Sequence, residues 1–290
     1  MVSLEELAAL DLQIWLRTGK DAALASRCNQ STICRRVERT LKGFRLGLRR
    51  REGEWLLKGN PLLIAMEREL HQLARFLGQE PLRLEVGPLM APLVAKPAPP
   101  GWMLGLHDSV GMARPLQLLR DRVIDAWLID DSVDLPPPED PEIARFDLFR
   151  YPLWLAGAPD HPLAGVRGVS LDDLRRFPVP LLPHELFPRT ALHFGHLGLA
   201  GPLQRARCYD PADWEGRTAD GVALTYANPF NLALHPKLRP IESDPILTNG
   251  VSLVVRRDRV EQPPIQALKG LLLDRLLALH PRLPELEPLA

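Results

Sequence analysis

Residues 19–60 read GKDAALASRCNQSTICRRVERTLKGFRLGLRRREGEWLLKGN: a short helical stretch, a turn, an arginine-rich helix, then a basic turn before an apolar strand. Asn29 sits where a side-chain oxygen can take up the orphan amide hydrogens of the longer helix. Ile33, Val37 and Leu41 follow at intervals of four and predict a single core-facing stripe. Thr32, Arg35, Arg36 and Arg39 fall mostly on the other side, where only Glu38 offsets the three arginines. A solvated helix face usually mixes acids and bases, so this one is arranged to meet negative charge. Its first turn carries Gln30, Ser31 and Thr32, short polar groups of the kind that reach base edges in a DNA groove. The arginines suit phosphate contacts, which position a protein on a duplex without reading its sequence.

The flanking segments extend this pattern into a small domain. Ser3 and Glu6 form a capping box, and Leu4, Leu7, Leu10 and Ile14 recur at helical spacing behind it. Thr18 and Asp21 give a weaker cap before a short Ala22–Ser26 helix. Arg49, Arg50, Arg51, Glu52 and Gly53 read as a basic β-turn with Trp55–Leu57 as the returning strand, although in isolation the same run also reads as a solvated loop. Three helices and such a wing predict a winged helix-turn-helix over residues 1–59, the layout that sets a recognition helix in a major groove.

Charge is distributed to match. The chain of 290 residues is formally neutral, with 36 basic and 36 acidic side chains. Residues 1–60 hold 12 Lys/Arg against 7 Asp/Glu, and the remainder 24 against 29, so a head of +5 balances a body of −5. A basic end on a neutral protein is what a polyanion partner selects.

Asn60–Pro61 predicts a helix start, and Leu63, Met66, Leu70, Leu73 and Leu77 then alternate spacings of three and four, the seam of a coiled coil. This run, 60–79, reads as a linker and dimerisation helix; packing within its own domain is the alternative. Beyond it, residues 80–290 are long enough for a two-lobed domain. Strands are predicted at Leu82–Val86, Trp102–Leu106, Ile124–Ile129, Leu153–Ala156, Val179–Leu182, Val222–Tyr226 and Val251–Val255. Helices are predicted at Val110–Arg122, Leu171–Arg176 and Pro264–Leu279, with a proline-rich loop at Pro136–Pro141. The alternation points to an open α/β sheet with parallel strands, which binds ligands where strands end and helices begin.

The order of these elements resembles LysR-type bacterial transcriptional regulators over nearly the whole chain. Asn29-Gln30-Ser31-Thr32-Ile33-Cys34-Arg35-Arg36-Val37 aligns with the Ser-Gln-Pro-Ala-Leu-Ser-Arg-Gln-Ile-like opening of that family's recognition helix, identical at Gln30 and Arg35. Ala22-Ala23 matches its small pair in the preceding helix, Leu118–Ile129 its "LL–G–LDLALV" segment, and His161-Pro162-Leu163-Ala164 its "HPLA". The family's helix proline is Ser31 here, its flanking serines are Asn29 and Cys34, and the threonine that opens its dimer helix is Leu57.

The resemblance implies an α+β multidomain protein: the winged helix-turn-helix, the linker helix, and a two-lobed, periplasmic-binding-protein-like (type 2) α/β effector domain. Lobe I would span about 82–153 and 252–290, and lobe II about 154–251. It implies double-stranded DNA as partner, with Gln30, Ser31 and Thr32 for bases and Arg35, Arg36, Arg39, Arg49, Arg50 and Arg51 for phosphates. It also implies a homodimer or homotetramer, with RNA polymerase as a further partner. A small-molecule effector would lie in the cleft, where Pro88, Met90, Ser109, Asp130, Pro183, His184, Arg189, Tyr226 and Asn228 are the candidates. Helix N-termini and a bidentate Arg189 would suit an anionic effector.

Other chemistries have little in the sequence to support them. Cys28, Cys34 and Cys208 are too few and scattered for a zinc framework, and the first two read as small buried hydrophobes. His184, Glu185, His193 and His196 lack metal-ligand spacing, so no metal and no cofactor is expected. No phosphate loop, nucleophile elbow or paired-carboxylate motif is present, and the expected protein is a regulator, not an enzyme. An α/β enzyme, or a protein-interaction module with a basic helical head, remain the alternatives. The absence of an apolar span or leader, and a chain opening on a capped helix, predict a cytoplasmic protein without membrane contact.

Overall fold

A computed structural model describes residues 2–204 and 208–289. In chain order the elements are α1 (Leu4–Leu16), α2 (Gly19–Ala25), α3 (Gln30–Phe44), β1 (Gly47–Arg51), β2 (Glu54–Lys58), α4 (Leu62–Phe76), β3 (Leu82–Val86), β4 (Trp102–Leu104), α5 (Ala113–Arg120) and β5 (Ala126–Ile129). They continue with β6 (Ile143–Gly157), α6 (Leu171–Leu174), α7 (Pro188–His196), β7 (Thr225–Ala227), α8 (Pro229–Leu234), β8 (Arg239–Pro240), β9 (Leu247–Arg256), α9 (Pro263–Leu279) and β10 (Glu287–Pro288). Two compact units result: residues 1–85 with 100–106 and 116–126, and residues 86–99 with 107–115 and 127–290.

The first unit begins with the three helices and wing. Both halves of the Ser3/Glu6 capping box are made, at 3.2 and 3.1 Å, and Thr18 Oγ1 accepts the Asp21 N–H at 3.0 Å. Asn29 occupies the cap position of α3 in extended conformation, but its side chain makes no capping bond, contrary to expectation. Ile33 and Val37 are buried as predicted; the third buried position is Thr40, not Leu41, because Thr40 Oγ1 can donate back to the Arg36 carbonyl at 3.0 Å. Strands β1 and β2 pair antiparallel from Gly47↔Lys58 to Arg51↔Glu54. The turn between them is Glu52-Gly53, both with positive φ (53° and 86°), which matches the twist of a two-residue hairpin. Helix α4 starts at Leu62, one residue after the expected first helical position, with Asn60 Oδ1 accepting the Leu62 N–H at 3.0 Å.

The same unit holds β3 and β4, which pair in parallel. Its interior holds several charged side chains, among them Asp11, Arg68, Arg75, Arg83, Glu85 and Asp125. Arg68 Nε donates to Asp11 Oδ1 at 2.9 Å, and Asp125 accepts from Arg75 Nε and Nη2 (both 2.8 Å), Gln72 Nε2 (3.1 Å) and the Arg83 N–H (2.9 Å). Trp15 on α1 donates its indole N–H to Glu85 on β3. These bonds tie α1, α4, β3 and the 122–125 turn together. Buried ions need such partners, since an unpaired one costs several kcal/mol.

In the second unit β6 is the central strand, with β9 antiparallel along it from Ile143↔Arg256 to Leu153↔Leu247. Its first half also carries β10, and its last residues carry β7 and β8. The expectation of parallel strands therefore fails in this unit: β6 is flanked by antiparallel partners. Sequence reading also shortened β6 to Leu153–Ala156, because Pro152 and the charged Arg145, Asp147 and Arg150 interrupt its pattern. Val179–Leu182 makes only a single bridge, Leu181↔Leu203, and is no extended strand. The apolar core beyond β6 gathers Leu155, Val179, Phe194, Leu224 and Tyr226. His161 is buried there as a turn residue, its Nδ1 accepting the Leu163 N–H at 3.1 Å and its Nε2 3.0 Å from the Val222 carbonyl.

Candidate functional site

Two regions bring candidate residues together, one in each unit. On the first, α3 turns Gln30, Ser31, Arg35 and Arg39 outward, with Thr32 half-buried. Arg49, Arg50 and Arg51 are exposed on the wing. Three of the arginines already have acidic neighbours: Arg36 pairs with Glu5, Arg39 lies 3.6 Å from Glu6, and Arg51 lies 3.7 Å from Glu52. Arg50 sits over the Trp55 ring at 5.6 Å, which braces the wing. Cys34 is exposed and Cys28 half-buried, so neither is the buried hydrophobe expected from sequence. Position 34 faces out because it shares the exposed face of α3 with Arg35 and Glu38.

Helix α4 shows an inverted face. Leu63, Met66, Leu70, Leu73 and Leu77, the predicted seam, are all exposed, while Arg68, His71, Gln72 and Arg75 are buried on the opposite side. Burial drives His71 below its ordinary range, partly offset by Glu67.

In the second unit a cavity of about 160 Å³ opens. Five of the nine predicted effector residues line it: Pro88, Ser109, Asp130, Tyr226 and Asn228. The other four do not. Met90 is fully buried, Pro183 is buried with its carbonyl accepting from Leu186 and Phe187 at the start of α7, and His184 points to solvent. Arg189 is the instructive miss. Its guanidinium is used on the Val133 and Leu135 carbonyls (3.0 and 3.2 Å), and its N–H on Asp134 (2.6 Å), so it braces a loop and does not line the cavity.

Sequence reading missed most of the wall: Asp131, Tyr151, Thr190, Phe194, Tyr209, Trp214, Glu215, Asn231 and Asn249. They come from separate strands, helix starts and loops, and no local spacing links them. Asparagines hold the rim in place. Asn228 caps α8 by accepting from Phe230 and Asn231 (3.0 and 2.9 Å), Asn231 Nδ2 donates to the Tyr226 carbonyl (2.8 Å), and Asn249 Nδ2 donates to Asp131 (3.1 Å). Tyr209 OH donates to Glu215 at 3.0 Å.

The acids are perturbed. Desolvation pushes Asp130 up to about 6, against the opposing hydrogen bond from Asn228. Asp131 rises to about 7, through burial first and the neighbouring charge of Asp134 second. Burial likewise raises the Tyr151, Tyr209 and Tyr226 hydroxyls, so all three remain protonated donors. Among the described residues, no three His, Cys, Asp or Glu side chains are placed to share a metal ion, and no helix is long and apolar enough to cross a membrane.

A cavity walled by strand ends and helix starts, in a chain that also carries a winged helical head, defines the class. The family model for the LysR substrate binding domain matches residues 106–277, and the chain belongs to that family. Solved structures agree in fold at low identity. Full-length OxyR from Pseudomonas aeruginosa is 17% identical, with a TM-score of 0.60 over 95% of both chains. OxyR from Corynebacterium glutamicum is 18% identical, with a TM-score of 0.54 over 96% of this chain and 93% of that one. Full-length CbnR, solved with its target DNA, is 17% identical, with a TM-score of 0.53 over 94% and 99%. No curated protein matches the chain in sequence.

Proposed function

We propose that the chain is a sequence-specific DNA-binding transcriptional regulator of LysR type, responding to a small molecule in the cavity of its second unit. The observation that carries this is the exposed polar and basic face of α3, continued by the wing arginines, in a chain of this family. Gln30, Ser31 and Thr32 read bases, while Arg35, Arg39, Arg49, Arg50 and Arg51 contact phosphates. Arg36 adds to them only when its pairing with Glu5 is exchanged for a phosphate. CbnR, similar in fold, was solved on its target duplex, which favours the same use here. The exposed seam of α4 joins a second copy, because one recognition helix reads one half-site and a dimer reads two. Residues 1–59, 60–79 and 80–290 act as reader, dimer helix and effector domain. Such a protein works in the cytoplasm, where its DNA and RNA polymerase are.

The test is fluorescence anisotropy of the full chain on duplex from its own upstream region and on a scrambled duplex, across a salt series. A preference of about 10³-fold or more with a steep salt slope is expected. Equal, weak binding to both duplexes would overturn the reading. Arg35→Ala should weaken every duplex alike and lower the salt slope by about one, whereas Gln30→Ala should alter which site is preferred.

A further inference from the structure

The charge of the cavity argues for a particular effector class. Asp130, Asp131 and Glu215 line it, and among the described lining residues there is no Lys, Arg or His. The nearby Arg114 spends one guanidinium nitrogen on the Ser109 hydroxyl at 3.1 Å and is itself outside the wall. An organic acid would meet Asp130 and Asp131 with no cationic side chain among the described lining residues, while Glu215 has a neighbour of its own in His235, whose Nε2 lies 3.9 Å away. Six aromatic residues, Tyr151, Phe187, Phe194, Tyr209, Trp214 and Tyr226, line the cavity as well. Ring faces attract cations, and carboxylates pair with them at low dielectric.

Two buried polar atoms in the wall also lack any partner: Thr190 Oγ1, on a side chain 3% exposed, and Trp214 Nε1. Buried groups of this kind are normally satisfied, so each asks for a ligand atom or water. The indole N–H can only donate, and the threonine hydroxyl can donate or accept. The carboxylates do not converge as a metal set. A volume near 160 Å³ compares with apolar cavities that take up benzene, so the guest has on the order of 6–10 non-hydrogen atoms.

We propose that the cavity binds a small organic cation, an arylalkyl amine in size and shape, with its ammonium beside Asp130 and Asp131 and its ring among the aromatic side chains. The ammonium supplies the donors that the carboxylates accept; a hydroxyl or carbonyl elsewhere on the guest satisfies Thr190 and Trp214. The raised acids fit this, since they are held against ionisation until a cation arrives. The assignment rests on the reading of this cavity as the effector site.

The experiment uses the full chain and three probes of one shape and different charge: benzylamine, benzyl alcohol and benzoate. Calorimetric titration at neutral pH should give benzylamine the highest affinity. Asp131→Asn should weaken benzylamine by about ten- to a hundred-fold and leave benzyl alcohol within about two-fold. Asp130→Asn serves the same purpose should the first variant fold poorly. Benzoate binding best, or benzylamine indifferent to both variants, would overturn the cationic class while leaving the cavity as an effector site. No binding of any probe at about millimolar concentration would overturn the effector reading of the cavity, and this inference with it.

Discussion

Asp125 is the residue whose loss tests how the first unit is held together. Its carboxylate is fully buried and accepts four hydrogen bonds, two from the Arg75 guanidinium, one from Gln72 and one from the backbone of Arg83. Burial works against the charge on Arg75, but Asp125 more than reverses that and raises it. In Asp125→Ala the guanidinium, 2% exposed, keeps only its bond to the Arg122 carbonyl at 2.8 Å. Breaking a buried pair by removing one partner costs about 3–5 kcal/mol. For a cooperative unit of roughly 100 residues, each kcal/mol moves the melting temperature by about 4–8 °C. Thermal unfolding at fixed protein concentration should therefore show the transition of the first unit falling by about 12 °C or more. Replacing both partners, Arg75→Met with Asp125→Leu, should recover only part of the loss: the uncompensated charge is gone, but Gln72 Nε2 and the Arg83 N–H still lose their Asp125 acceptor. A single-variant loss below about 1 kcal/mol would refute the claim that this pair is desolvated and structural.

Three further outcomes follow from the same structure. Gly105→Ala would put a Cβ 2.8 Å from Glu85 Oε2 and 3.0 Å from Trp15 Nε1, so it should cost about 1–3 kcal/mol and loosen α1 from β3, read as increased amide exchange in both. The raised Asp130 and Asp131 contribute stability in their protonated form. Their contribution is complete below the unfolded pKa near 3.8 and is lost as pH rises through about 6 and 7, so stability should fall by about 2 kcal/mol between pH 5 and 8, after allowance for partial solvent access, and Asp131→Asn should flatten the profile. Leu70→Glu with Leu73→Glu alters two exposed positions of α4, so the fold should persist while light scattering reports a smaller assembly; an unchanged mass would remove α4 from the interface.

The head was legible because its signals are local. A capping box, a four-residue apolar interval and a Glu-Gly turn each act within one element, and each is present in the structure. The lining of the candidate cavity was half-legible. Pro88, Ser109, Asp130, Tyr226 and Asn228 were reached as strand ends and helix starts, whereas Glu215 and Trp214 lie in an irregular stretch with no periodicity to flag them. The use made of Arg189 was hidden for a related reason. Arg189 at a helix start suggested an acid-binding site, yet an arginine only defines a ligand if its guanidinium is free to point at one. Three backbone and side-chain groups of the 133–135 loop engage this residue first. Strand β6 was truncated because Pro152 is a breaker by local rules, and only its long antiparallel pairing with β9 overrides that.

Helix α4 shows how one segment can carry two kinds of interaction at once. Its sequence has an apolar seam, and ordinary burial would turn that seam into the fold. Instead the chain buries Arg68, Gln72 and Arg75 against Asp11 and Asp125, leaving Leu63, Met66, Leu70, Leu73 and Leu77 outside. Buried ion pairs are weak sources of stability but exacting in geometry, since each donor must find its own acceptor. They fix the rotation of α4 about its axis, and with it the direction the leucines face. A contiguous exposed apolar stripe of this length is the kind of surface that marks an interaction site. The polar face thus sets the orientation, so that the geometry of the association proposed for the apolar face would depend on Asp11 and Asp125 as much as on the leucines themselves.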